Sequence, residues 1–242
     1  MSIFKDIIIS QVHEFKTLLN DNISDELSEI MSKYKSDKGF GLCNDFIHHN
    51  KYAPNLVCHN YTFFYNKLFE NYKNHKISIF EMGVGVPLCM GSWAGSLLGW
   101  KEYFPNSIIY SADFDKDYLY NDDRIKSFYV DQENDESIKK MWKNINNIIS
   151  FDLIIDDGPH TFNSNYLFYI NSINKLKDGG IYIIEDVNLD FIEKLYTDIQ
   201  NYNLEQNYNY KMEKLIIPWP AKFVHPLETI LKMNNLIIIH KN

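Results

Sequence analysis

The 242-residue sequence predicts an α/β fold: a seven-stranded, mostly parallel sheet with helices on both faces, preceded by a helical N-terminal segment. Two observations predict it. From residue 77 onward, short runs rich in isoleucine alternate with segments of helical periodicity, the signature of βαβ units and so of parallel strands. Each run also ends on glycine or an acidic residue, at the strand end where open parallel sheets bind their ligands. The expected organisation is a helical segment over 1–75 and an α/β domain over 76–242.

The elements follow in order. Ile3, Phe4, Ile7, Ile8, Val12, Phe15, Leu18 and Leu19 recur at helical spacing, so 2–19 reads as an amphipathic helix that packs on the domain or across a homodimer. A short helix opens at Ser24-Asp25-Glu26-Leu27, capped by Ser24 or Asp25. Gly39, Gly41 and Pro54 make 35–58 irregular, and helical periodicity returns over 61–72. Strands are expected over 77–80, 108–112, 125–130, 152–155 and 181–184. The intervening helices are expected over 92–103, 137–148, 164–176 and 189–202, with Lys177-Asp178-Gly179-Gly180 stopping the third. Residues 211–217 and 236–240 supply a final strand pair.

Composition narrows the function classes. Lys and Arg total 24 against 32 Asp and Glu, a net charge of −8, with no basic stripe. That balance argues against nucleic acid or an anionic membrane surface as partner. The three cysteines, Cys43, Cys58 and Cys89, have neither zinc nor disulfide spacing and read as reduced thiols of a cytoplasmic protein. No leader pattern opens the sequence, and the apolar runs 181–184 and 236–239 are too short to span a bilayer.

The strand ends carry the chemistry. Glu81-Met82-Gly83-Val84-Gly85 ends the first, and Gly83 and Gly85 let the backbone turn tightly against a ligand. A dinucleotide fingerprint needs a third glycine where Leu88 stands, so a ligand without a pyrophosphate, such as S-adenosylmethionine, fits better than a nucleotide-binding oxidoreductase's cofactor. Asp113 is placed for the ribose hydroxyls, with Asp115 as fallback, and Asp131-Gln132 for the adenine amino group. Asp156-Asp157-Gly158-Pro159-His160 and Glu185-Asp186 end two strands expected to be neighbours. Asp156 is assigned to the donor side. Asp157, Glu185 and Asp186 offer three hard oxygen ligands suited to Mg²⁺ or Mn²⁺. His160, three residues beyond Asp157, reads as a general base, with Asp157 beside it as the second catalytic residue.

With these residues in place, the sequence resembles the metal-dependent sugar O-methyltransferases related to macrocin and mycinamicin O-methyltransferases. Similar proteins occur in bacterial capsule and surface-glycan gene clusters. The resemblance runs from about Tyr34 to Asp186. It rests on Tyr34-Lys35-Ser36-Asp37-Lys38-Gly39, His59-Asn60-Tyr61 with Tyr65, Phe80 to Gly85, Trp100 to Pro105, Asp131-Gln132, Ile154 to His160 and Ile183 to Asp186. It departs from the family pattern at Ala112 and Pro159. It implies a Rossmann-like class I methyltransferase fold, S-adenosylmethionine as methyl donor, Mg²⁺ on Asp157, Glu185 and Asp186, and His160 as base. It also implies that Lys38 and Tyr61 lie near donor or substrate. The expected acceptor is a sugar hydroxyl, with an NDP-hexose or NDP-heptose first. The alternatives are a catechol-like acceptor or a phosphorus-containing capsule precursor.

Overall fold

A computed structural model of the protein describes residues 1–6, 25–39, 59–85, 92–145, 150–217 and 232–242. The helix expected over 2–19 falls mostly outside them, and its first residues, Ile3–Asp6, form a single 3₁₀ turn. Cys43, Cys58, Cys89, Leu88 and the proline-rich stretch 218–226 also lie outside the described residues.

Seven strands form one sheet: β1 (Ser78–Met82), β2 (Ile108–Asp113), β3 (Ile125–Tyr129), β4 (Phe151–Asp156), β5 (Leu176–Ile184), β6 (Tyr210–Ile216) and β7 (Asn235–Lys241). Their spatial order is β3-β2-β1-β4-β5-β7-β6. The first five are parallel, and β7 runs antiparallel between β5 and β6. This is the expected mostly parallel sheet with its final strand pair. The chain leaves β1 toward β2 and β3, then returns to add β4 on the other side. The topological switch point therefore lies between β1 and β4, where such sheets open a ligand crevice.

The isoleucine-rich runs are apolar throughout because both faces of the sheet are covered. Ile79, Ile109, Leu153, Ile155, Ile181, Ile183 and Ile238 join one core cluster; the alternate residues Phe80, Tyr110, Ile154, Tyr182, Ile184, Ile237 and Ile239 join another. The first face is covered by α1 (Glu26–Lys33), α2 (Tyr61–Phe69) and α3 (Gly95–Tyr103), and the second by α4 (Asp135–Ile145), α5 (Phe162–Ser172) and α6 (Ile192–Glu205). Of the two candidate caps, Asp25 caps α1, its carboxylate accepting the Ser28 N–H at 2.9 Å. In α4 the buried residues are Ile138, Met141, Trp142 and Ile145, one helical stripe. Phe4, Leu27, Met31, Tyr61 and Tyr65 share the first core with the sheet.

One expectation is corrected. Lys177-Asp178-Gly179-Gly180 does not stop a helix. α5 ends at Ser172, a 3₁₀ turn covers Ile173–Lys175, and β5 already runs from Leu176. The register against β4 shifts between Phe151 and Leu153, so the two glycines form an irregularity inside a strand. Gly179 has φ +75°, and a Cβ there would meet the Cβ of Lys5 at 2.7 Å. No helix among the described residues is long and apolar enough to cross a membrane.

Candidate active site

The site assembles at the switch point. After β1 the chain turns through Gly83 (φ +94°) and Gly85 (φ +83°), left-handed conformations that favour glycine. A Cβ on Gly83 would sit 2.2 Å from the carbonyl oxygen of Asp157, so the two loops are in backbone contact. Asp113, at the end of β2, ties the glycine turn down: its carboxylate accepts the Val84 N–H at 2.8 Å and the Asp115 N–H at 2.9 Å. Asp113 is half-buried and keeps further lone pairs for a ligand.

The ends of β4 and β5 supply the acidic group. Asp157 follows β4, and its N–H donates to Met82 of β1 at 3.1 Å. Asp186 follows β5 by two residues. Both His160 (φ +56°) and Asp186 (φ +53°) adopt the left-handed region, a strained backbone of the kind that clusters at functional sites. His160 Nε2 lies 3.8 Å from Asp157 Oδ1 and 3.8 Å from Asp186 Oδ2. Its Nδ1 is buried without a hydrogen-bond partner among the described residues. One ligand atom from each of Asp157, His160 and Asp186 falls within 4.8 Å of the others. Two hard carboxylates with an imidazole beside them, all half-buried, fit Mg²⁺ or Mn²⁺ with places left for water and substrate.

Two cations and two tyrosines hold these carboxylates from behind. Lys38 is buried, and its ammonium donates to Asp157 Oδ2 at 2.6 Å and Glu185 Oε2 at 2.5 Å, with Glu81 Oε1 at 3.6 Å. Burial works against this charge, but Asp157, Glu185 and Glu81 raise the lysine well above its usual range. The Lys38 carbonyl accepts the Tyr61 N–H at the start of α2, which fixes the segment. His59 bridges Asp186 Oδ2 (3.1 Å) and Asn234 Oδ1 (3.0 Å). Despite burial, the Asp186 charge raises His59 to about 9, so both ring nitrogens donate. In return His59, against the effect of burial, holds Asp186 well below the usual carboxylate range. Tyr61 donates to Asp186 Oδ1 at 2.6 Å and Tyr65 to Glu185 Oε1 at 2.5 Å.

Asp157, His160 and Asp186 converge. Glu185 does not join them: it is buried, and its two oxygens are taken by Lys38 and Tyr65. Asp156 has a different task from the donor contact expected of it. It is fully buried, with Gln132 Nε2 at 2.6 Å and Asn165 Nδ2 at 3.0 Å, because neighbouring residues at a strand end point to opposite faces. Burial raises its carboxyl to about 7. Gln132 turns toward Asp156, leaving Asp131 as the half-exposed residue at the end of β3. Glu81 is likewise turned inward, onto Ser96 and Trp100 of α3. Lys38 and Tyr61 reach the carboxylates. The sequence reading gave no role to His59 or Tyr65. The usable signal was the 61/65 spacing, which puts both tyrosines on one face of α2 with the histidine just before it.

The fold is that of the class I methyltransferases. The solved structure of the MycE methyltransferase from the mycinamycin biosynthetic pathway, in complex with Mg and SAH, superposes with a TM-score of 0.60 at 23% identity, covering 91% of this chain and 55% of that one. Its complex with Mg, SAH and mycinamycin VI gives 0.60 at 22% identity, covering 90% and 54%. No family model matches the chain. Among curated proteins, it is similar to mycinamicin VI 2''-O-methyltransferase of Micromonospora griseorubida, 29% identical over 67% of this chain and 36% of that protein. The 8-demethyl-8-alpha-L-rhamnosyl tetracenomycin-C 2'-O-methyltransferase of Streptomyces olivaceus is 27% identical over 55% and 34%. Demethylmacrocin O-methyltransferase of Streptomyces fradiae is 25% identical over 67% and 36%. The chain thus spans about a third of the length of these curated relatives.

Proposed function

We propose that the protein is an S-adenosylmethionine-dependent, divalent-metal-assisted O-methyltransferase acting on a sugar hydroxyl. The observation that carries this reading is the convergence of Asp157, His160 and Asp186 at the switch point, in backbone contact with the Gly83 turn. The names of its relatives, each an O-methyltransferase, support it. Among acceptors we place a sugar nucleotide such as an NDP-hexose or NDP-heptose first, for surface-glycan assembly. A small non-sugar hydroxyl compound is the alternative.

When bound, the donor supplies an activated methyl group and Mg²⁺ or Mn²⁺ acidifies the acceptor hydroxyl. The chain's residues do the rest. Gly83 and Gly85 open the turn where the donor would bind, and Asp113 and Asp131 are the acidic residues that would hold its ribose and its base. Asp157 and Asp186 would hold the divalent ion, with Glu185 as the carboxylate behind them. His160 accepts the proton at Nε2, the nitrogen that faces the carboxylates. His59, Tyr61 and Lys38 keep the carboxylates fixed, so the reacting groups meet in a prearranged geometry.

Calorimetric titration with S-adenosylhomocysteine, with and without Mg²⁺, tests this. Saturable binding is expected, and no heat in either condition removes the reading. His160→Ala should keep that binding while losing methyl transfer to sugar nucleotides by about 10²-fold or more. Full turnover in the variant removes His160 from the role of base.

A further inference from the structure

The ammonium of Lys38 has no counterpart in the proton and metal chemistry of the site, yet it stands among the carboxylates. Its side chain is 1% exposed, and it touches three acids at the ends of three different strands: Glu81 in the last two residues of β1, Asp157 just after β4 and Glu185 just after β5. Asp157 is the shared member. Its Oδ2 accepts from Lys38, while its Oδ1 faces His160 Nε2, toward the side where Asp186 also stands. One carboxylate therefore bridges a fixed cation and a group of atoms suited to a second, exchangeable one. Glu81, held from the other side by Ser96 and Trp100, anchors the ammonium without reaching that group.

We propose that Lys38 is a resident counter-cation of the site: it holds the acidic residues together when no metal is bound, and it competes electrostatically with the divalent ion for them. The inference rests on the reading that Asp157 and Asp186 take a divalent ion beside His160. Three carboxylates at adjoining strand ends repel one another, and an ammonium at hydrogen-bonding distance cancels that repulsion. The same charge lowers the attraction that Asp157 offers a metal. Lys38 thus keeps the site built and its metal exchangeable. It is a positioning residue, acting on the reaction through the carboxylates.

The two neutral variants on either side of this ion pair separate the charge effect from mere scaffolding. Mn²⁺ binding is measured by calorimetry and electron paramagnetic resonance, without substrate, on wild type, Lys38→Met and Glu81→Gln. Removing the cation should tighten Mn²⁺ by about tenfold. Removing the acid that neutralises the cation from the far side should weaken Mn²⁺ severalfold. A scaffolding role would weaken binding in both variants, so an unchanged or weakened Lys38→Met overturns the proposal. Unchanged binding in Glu81→Gln overturns it as well, and if Lys38→Met does not fold, Lys38→Gln, which also removes the charge but keeps a polar group, is measured in its place with the same expectation of tighter Mn²⁺ binding. If Lys38→Met folds only with Mn²⁺, its Tm should rise more on metal addition than that of wild type, and an equal rise overturns the proposal. Absence of Mn²⁺ binding in wild type and both variants instead overturns the metal reading itself.

Discussion

At the scale of single residues, Gly83 is the tightest constraint in the site. Its φ of +94° already disfavours any side chain, and a Cβ would meet the Asp157 carbonyl oxygen at 2.2 Å. That obstacle is backbone, so it yields only if the β1 and β4 loops separate and carry Asp157 away from Asp186. Gly83→Ala should therefore lose S-adenosylhomocysteine binding and cost about 1–3 kcal/mol of stability, read by calorimetry and denaturant unfolding. A variant that binds normally would show that the turn is not where the donor sits. The glycine pair was legible from its spacing, but its contact with Asp157 was not. The same contrast runs through the site. Asp113, Asp157 and Asp186 stand out in the sequence because each lies at or just past the end of an isoleucine-rich run. Asp156 was misread because the alternation of the strand turns it inward, onto Gln132 and Asn165. Lys38 finds its partners 119 and 147 residues away and Tyr65 finds its own 120 away, separations over which no local pattern reports.

At the scale of elements, the covered faces of the sheet explain why pattern reading succeeded. α4 shows its buried stripe in sequence, and the centre of that stripe is Trp142. Its ring packs on Phe80 at 4.7 Å, Phe151 at 5.7 Å and Phe168 at 6.1 Å, and its indole N–H donates to Ser172 at 3.0 Å. Trp142→Ala would leave a large cavity and an unpaired hydroxyl, and should cost about 3–5 kcal/mol in urea unfolding. Because none of these contacts reaches Asp157 or Asp186, affinity for S-adenosylhomocysteine in the folded variant should be unchanged; a concurrent loss would mean that this face of the sheet positions the site. The strands were readable by the same logic, since runs such as Ile181 to Ile184 are buried on both sides. The error came where two signals conflict. Gly179-Gly180 is turn chemistry by composition, but the irregular pairing with β4 absorbs it within β5. That displaced the expected end of α5 and hid the five residues 176–180 of the strand.

At the scale of the whole molecule, function and chain closure occupy opposite ends of the parallel strands. The site lies at their C-terminal ends. At their starts, Ser2 donates its N–H to Asp178 and its hydroxyl to Asp152, and Lys241 donates to the Leu176 carbonyl at 2.9 Å. His240 belongs to this second region. It is buried on β7, opposite Ile181 and Lys211 in register. Burial lowers its pKa from the ordinary 6.5; contact with the Gly179 backbone partly opposes this, and the Lys211 charge, the one that faces it, adds to it. The sign follows from linkage: a base whose folded pKa is depressed takes up its proton more readily in the unfolded chain. Its contribution to stability is complete above pH 6.5 and is lost as the pH falls through 6.5 toward the depressed folded value. Other groups titrate in the same range, so the difference between two proteins is the useful quantity. Urea unfolding of wild type and His240→Leu between pH 8 and pH 5 should give a shallower loss of stability in the variant. Parallel curves would mean that His240 keeps its ordinary proton affinity inside the sheet. S-adenosylhomocysteine affinity at pH 8 should be equal in the two, because the strands that carry this histidine present their opposite ends to the donor.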